Sequence, residues 1–118
     1  MDQTTMLRAA AVLFGLTAVG GLVLAIIRFR GVPRPPLVLA MGHGVIAAAG
    51  LTLLVYSALM GSVPLPAQIA ALVFVLAATG GMAMNLMYHS KGLALPIPFV
   101  IVHGLAAAVG FGLLLSSL

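Results

Sequence analysis

The chain has no cysteine, no tryptophan and a single acidic residue, Asp2, in 118 positions. Without cysteine there is no disulfide, no thiolate-ligated iron–sulfur cluster and no thioether-attached c-type haem. Without a second carboxylate there is no acid–base pair. No glycine-rich phosphate loop or nucleophile–base–acid set occurs either, so the chain is not expected to catalyse a reaction by itself. Charged residues make up only 5%, far below what keeps the surface of a small soluble domain in water. Five Lys/Arg give a net charge of +4. That is too sparse for a nucleic-acid footprint, but enough for loops that face an anionic leaflet.

What the chain does have is apolar length: 64% hydrophobic residues and a mean hydropathy of +1.32. Four apolar runs stand out, Leu7–Ile27, Pro36–Met60, Pro66–Tyr88 and Leu93–Leu115. Each has about 20 residues or slightly more, enough to cross a hydrocarbon core of about 30 Å. The breaks between them carry turn chemistry, in residues 28–36, 61–66 and 89–92. Pro36, Pro66 and Pro96 stand at or near helix starts, where a missing N–H costs little. The expectation is an all-α integral membrane protein: a single four-helix bundle over residues 1–118, with sequential helices antiparallel. The first run, with Arg8 beside it, has features of a cleavable leader, but the repeat described next pairs it with the third run, so it is expected to remain.

The sequence matches itself at an offset of 60 without a gap. Ala18-Val19-Gly20-Gly21 falls on Ala78-Thr79-Gly80-Gly81, Pro36 on Pro96, and His43-Gly44 on His103-Gly104. Gly50 falls on Gly110, Leu53-Leu54 on Leu113-Leu114, and Ser57 on Ser117. Each copy is a two-helix hairpin, so both copies share one orientation, related by a pseudo-twofold axis along the membrane normal. Arg28, Arg30, Arg34 and Lys91 lie in the first and third loops. The positive-inside rule places those loops in the cytoplasm and both termini outside, with Arg8 arguing weakly the other way. The richness in alanine, glycine and leucine suggests a bacterial inner membrane.

His43 and His103 are the residues that point toward chemistry. Each lies seven residues past a helix-start proline, about 10 Å from the basic end. An ionisable residue within a span is a functional candidate by default. The histidine faces read His43, Ala47, Gly50, Leu54 and His103, Ala107, Gly110, Leu114, with small residues expected to leave open space beside each imidazole. Gly20-Gly21 and Gly80-Gly81 fall at about the same depth and are expected to remove bulk there. Together these residues suggest a slot on the axis with a histidine at each end. Two neutral imidazoles across a bundle are the axial pair that haem b requires. His43 and His103 would bind the iron, and Arg28, Arg30, Arg34 and Lys91 lie at the right end to meet its propionates. In architecture the arrangement resembles bis-histidine membrane b-type cytochromes.

Other residues carry weaker signals. Met82, Met84 and Met87 do not share one helical face, which suits packing better than copper ligation. His89, opposite Phe29 in the repeat, reads as an interfacial residue, as do Tyr56 and Tyr88. Thr17, Thr52, Thr79, Ser57 and Ser116 can satisfy carbonyls of their own helices. A second small-residue stripe, Ala40, Gly44, Ala48, Thr52 and its counterpart Val100, Gly104, Ala108, Gly112, has the spacing that lets membrane helices approach closely. Three functional classes remain open at this stage. They are electron transfer through haem b, a non-redox accessory subunit, and a small channel or transporter gated by the imidazoles. The expected partners are the lipid bilayer and either a second copy or a larger membrane complex.

Overall fold

The computed structural model describes all 118 residues, and it is entirely helical. The helices are α1 (Gln3–Phe29), α2 (Leu37–Met60), α3 (Leu65–Met84, continued by a π-turn over Asn85–His89) and α4 (Ile97–Leu115). All four are long and apolar enough to cross a membrane, the makings of a multi-pass membrane protein. They form an elongated bundle, 43 × 22 × 21 Å. Helices α1 and α3 each pack against both α2 and α4, whereas the diagonal pairs α1/α3 and α2/α4 make no close backbone approach. The bundle axis is therefore reached only by side chains.

The helix ends follow local chemistry. Asp2 caps α1 by accepting the Thr5 N–H at 2.8 Å, which holds its carboxyl below the usual carboxylate range. At the other end of α1, Gly31 takes a positive φ of 101°, and the Val32 N–H returns to the Ile27 carbonyl. That is a Schellman closure. The second repeat closes the same way one residue later, with Gly92 at φ 72° and the Leu93 N–H on the Tyr88 carbonyl. The π-turn accommodates this extra residue, so only four residues (93–96) separate Gly92 from α4 where five (32–36) separate Gly31 from α2. The sequences match without a gap, yet here the backbones do not.

The fourth helix corrects an expectation. It begins at Ile97, not at Leu93. Pro96 disfavours helical backbone at Leu95, and Leu95 instead donates its N–H to the Pro33 carbonyl at 3.1 Å. Arg28 reinforces this junction, its Nε–H donating to the Leu95 carbonyl at 2.8 Å. The two basic loops are thus tied together. Helix α1 is longer than expected, and Pro36, Pro64 and Pro96 occupy cap positions.

The packed core lies in the half of the bundle nearer the termini. Leu7, Ala10, Ala11 and Phe14 of α1 meet Ala67, Ala70, Ala71 and Phe74 of α3, with Leu54 and Leu114 between. These ten positions form five pairs sixty residues apart. The Phe14 and Phe74 rings stack across the axis, centroids 3.7 Å apart and planes within 4°. The neighbouring positions make this possible. A Cβ on Gly110 would stand 3.2 Å from the Phe74 ring, and one on Gly50 would stand 3.4 Å from that of Phe14. Ser57 departs from the expectation that hydroxyls bond within their helices. It is buried with its Oγ unpaired, whereas the Ser117 Oγ donates to the Leu113 carbonyl. The stripe containing Gly44, Gly104 and Gly112 faces outward, with nothing within 4 Å of a Cβ at any of the three glycines. It does not pack the bundle's own helices.

This arrangement makes the phenylalanine stack the main prop of the axis. Phe74→Ala should destabilise the protein by about 3 kcal/mol or more, measured as a lowered unfolding midpoint in detergent.

Candidate functional site: the paired histidines

His43 projects from α2 and His103 from α4, across a diagonal whose backbones do not touch. Their rings meet near the axis, centroids 6.2 Å apart and planes inclined at 70°. Both are half-buried. At about 1.5 Å per residue they lie roughly 10 Å from the basic end, one level beyond the phenylalanine stack.

Each imidazole is anchored to the other helix of its own hairpin. His43 Nδ1 lies 2.9 Å from the Thr17 carbonyl oxygen of α1, and His103 Nδ1 lies 2.9 Å from the Ala77 carbonyl oxygen of α3. A carbonyl can only accept, so Nδ1 carries the proton in both rings. In the neutral imidazole that leaves the lone pair on Nε2. This is how metal-ligating histidines are usually oriented: one nitrogen is held by a backbone carbonyl and the other is free to bind.

The glycine pairs explain why a side chain can reach a helix carbonyl at all. In α1 the Thr17 carbonyl is covered by the residue one turn on, which is Gly21. A Cβ at Gly21 would stand 2.8 Å from His43 Cε1, and one at Gly81 would stand 3.1 Å from His103 Cε1. A Cβ at Gly20 or at Gly80 would stand 3.9 Å from Nδ1 of the same two rings. The glycines were expected to leave an open slot. Instead each pair forms a notch that its own histidine fills. Gly50 and Gly110 are corrected in the same way. Both are buried, but they seat Phe14 and Phe74 rather than bordering the imidazoles.

The two repeats differ around this shared geometry. An open groove of about 420 Å³ on the outer side of α1 and α2 is lined by Gly20, Pro36, Leu39, Gly42 and His43, among others. In the second repeat Phe99 replaces Leu39, and its ring lies 3.6 Å from a Cβ on Gly80. Phe99 also meets Tyr88 edge to face, centroids 6.4 Å apart.

The remaining candidates separate cleanly. Arg28 is half-buried beneath the joined loops, whereas Arg30, Arg34 and Lys91 are exposed. Arg34 reaches across to Gly92, its guanidinium 3.5 Å from a Cβ there. His89 lies in the π-turn, apart from the histidine pair. Met84 is buried while Met82 and Met87 are exposed, consistent with packing rather than a shared ligand set. No cluster of three or more His, Cys, Asp or Glu side chains is positioned to hold a metal ion.

Two pairs of contributors carry no mark that singles them out by chemistry. Phe14 and Phe74 could have been found by position, because they match at the offset of 60. The Thr17 and Ala77 carbonyls could not, because a backbone acceptor leaves no mark on residue identity. No known protein family, curated protein or solved structure matches the chain. Its chemistry therefore has to be argued from the site.

Gly21→Ala should push His43 off the Thr17 carbonyl and leave His103 in place. Nitrogen NMR of the imidazoles would report this as loss of the fixed Nδ1–H form for one histidine only.

Proposed function

We propose that the protein is a multi-pass protein of a bacterial inner membrane that carries electrons through one haem b ligated by His43 and His103. The observation that carries this reading is the matched anchoring of the two imidazoles, both Nδ1–H groups donating to carbonyls at 2.9 Å. That anchoring leaves two Nε2 donors near one axis. A single metal ion between two imidazoles, with bonds of about 2 Å, needs ring centres roughly 6 Å apart. The observed separation is 6.2 Å.

The donor count favours a porphyrin over a bare ion. Zinc and copper sites draw on three or four protein ligands, and no third His, Cys, Asp or Glu joins this pair. A porphyrin supplies the remaining four positions itself. When bound, haem supplies reversible one-electron chemistry within an apolar bundle. His43 and His103 bind, the Thr17 and Ala77 carbonyls orient them, and Gly21 and Gly81 give the rings room. The Phe14–Phe74 stack closes the axis below the pair, which speaks against a through-going pore.

In this reading loops 30–36 and 90–96 face the cytoplasm, and both termini face the periplasm. Nearly all of the chain lies in the four apolar helices and their short connections. The outward stripe of Gly44, Gly104 and Gly112 offers a close-packing face for a second copy or a larger complex.

The test is an absorption spectrum of the detergent-purified protein, oxidised and then reduced with dithionite. A Soret band with split visible bands on reduction is expected, lost in His43→Ala and in His103→Ala but kept in His89→Ala. A protein that stays colourless after haem is added would overturn the reading and leave the histidines as a packing pair.

A further inference from the structure

Of the five Lys/Arg side chains, Arg28 alone is half-buried. Its Nε–H is taken by the Leu95 carbonyl at 2.8 Å. That leaves the four terminal N–H donors of the guanidinium, and its full charge, without an acidic partner in the chain. The one acid, Asp2, caps the opposite end of α1. A partly desolvated cation with no counter-charge is unfavourable, so the position fits an anion brought from outside the chain.

The placement of Arg28 narrows which anion. It stands seven residues past Gly21 on α1, two turns along the same face and about 10 Å nearer the basic end. That face carries the Thr17 carbonyl and the Gly21 notch, the seat of His43. The bond to Leu95 directs the guanidinium toward the segment that enters α4, the helix of His103. In the second repeat the matching position is Tyr88, whose ring is turned against Phe99. The positive charge is thus one-sided, above the imidazole pair.

Resting on the haem reading above, we infer that the terminal N–H groups of Arg28 hold the propionate carboxylates of the haem at the basic end of the bundle. A guanidinium pairs with carboxylates through parallel hydrogen bonds, which gives direction as well as affinity. Arg28 thereby sets which edge of the macrocycle faces the loops. Arg30, Arg34 and Lys91, all exposed, are not part of this contact. A lipid-headgroup phosphate offers similar anion chemistry, and the experiment separates the two.

The apoprotein in detergent is titrated with haem b and with its dimethyl ester, in which both carboxylates are blocked. The wild type should bind haem about tenfold more tightly than the ester, the scale of one charge-assisted hydrogen bond. Arg28→Gln should weaken haem about tenfold, leave the ester unchanged and so erase the preference. Arg8→Gln, which removes the same charge at the far end, should keep it. Equal binding of both compounds by the wild type, or a preference that survives in Arg28→Gln, would assign Arg28 to a lipid headgroup or to the loop junction alone. The inference would then fall while the haem reading stood. No Soret change with either compound would mean that the haem reading itself has failed and this inference with it. The wild-type comparison needs no variant, so a folding defect in Arg28→Gln cannot obscure the answer.

Discussion

Where nearly every residue is apolar, burial of apolar surface cannot choose which face of a helix turns inward, and side-chain size makes the choice instead. Between helices in lipid, association relies on close packing rather than on exclusion of water. This chain meets that constraint with alanine and glycine on the inward faces. Ala10, Ala11, Ala70 and Ala71 line the closed half of the bundle, and Gly50 and Gly110 make room for the Phe14–Phe74 stack. One pair of large rings then fills the gap that the small residues leave. The same logic recurs at the histidine level, where Gly21 and Gly81 admit one imidazole each.

The two levels use the absence of a side chain for different ends. At the phenylalanine level it serves density: the rings contact each other face to face and the axis is closed. At the histidine level it exposes a carbonyl. A helix normally hides its carbonyls behind the side chains of the next turn, and a glycine at the right position uncovers one for a second hydrogen bond. That bond places the proton on Nδ1 and the lone pair on Nε2 in both rings. A pattern that looks like simple packing in α1 and α3 therefore governs the protonation geometry of residues on α2 and α4.

Several departures from symmetry lie at the basic end. The π-turn in α3, Tyr88 in place of Arg28, and Phe99 in place of Leu39 give the second repeat an aromatic wall. The first repeat has an open groove and a half-buried cation there. At the phenylalanine level the stacked rings match, but their surroundings carry a compensated exchange: Gly15 beside Phe111 in one place, Val75 and Leu51 at the matching positions. A changed side chain displaces few neighbours where packing is loose, whereas in the close-packed half a change has to be matched by the residue it touches.

Four apolar runs of bilayer-crossing length, the turns between them, the offset of 60 and the two histidines at matching depth were all legible in the sequence. Each is a matter of residue identity along one dimension. The start of α4 was misplaced because the N–H of Leu95 is committed to a distant carbonyl in the first loop, a contact without local signature. The glycine pairs were placed at the right depth but read as empty space. Whether a missing Cβ leaves a void or a notch depends on which neighbour reaches it. The phenylalanine stack, the carbonyl anchors and the burial of Arg28 among four exposed Lys/Arg side chains emerge only once four helices share one axis. Sequence by itself determined that there are four apolar helices and two equivalent histidines. Tertiary structure decided which atoms those histidines face, because that depends on how close two backbones come and on what lies between them.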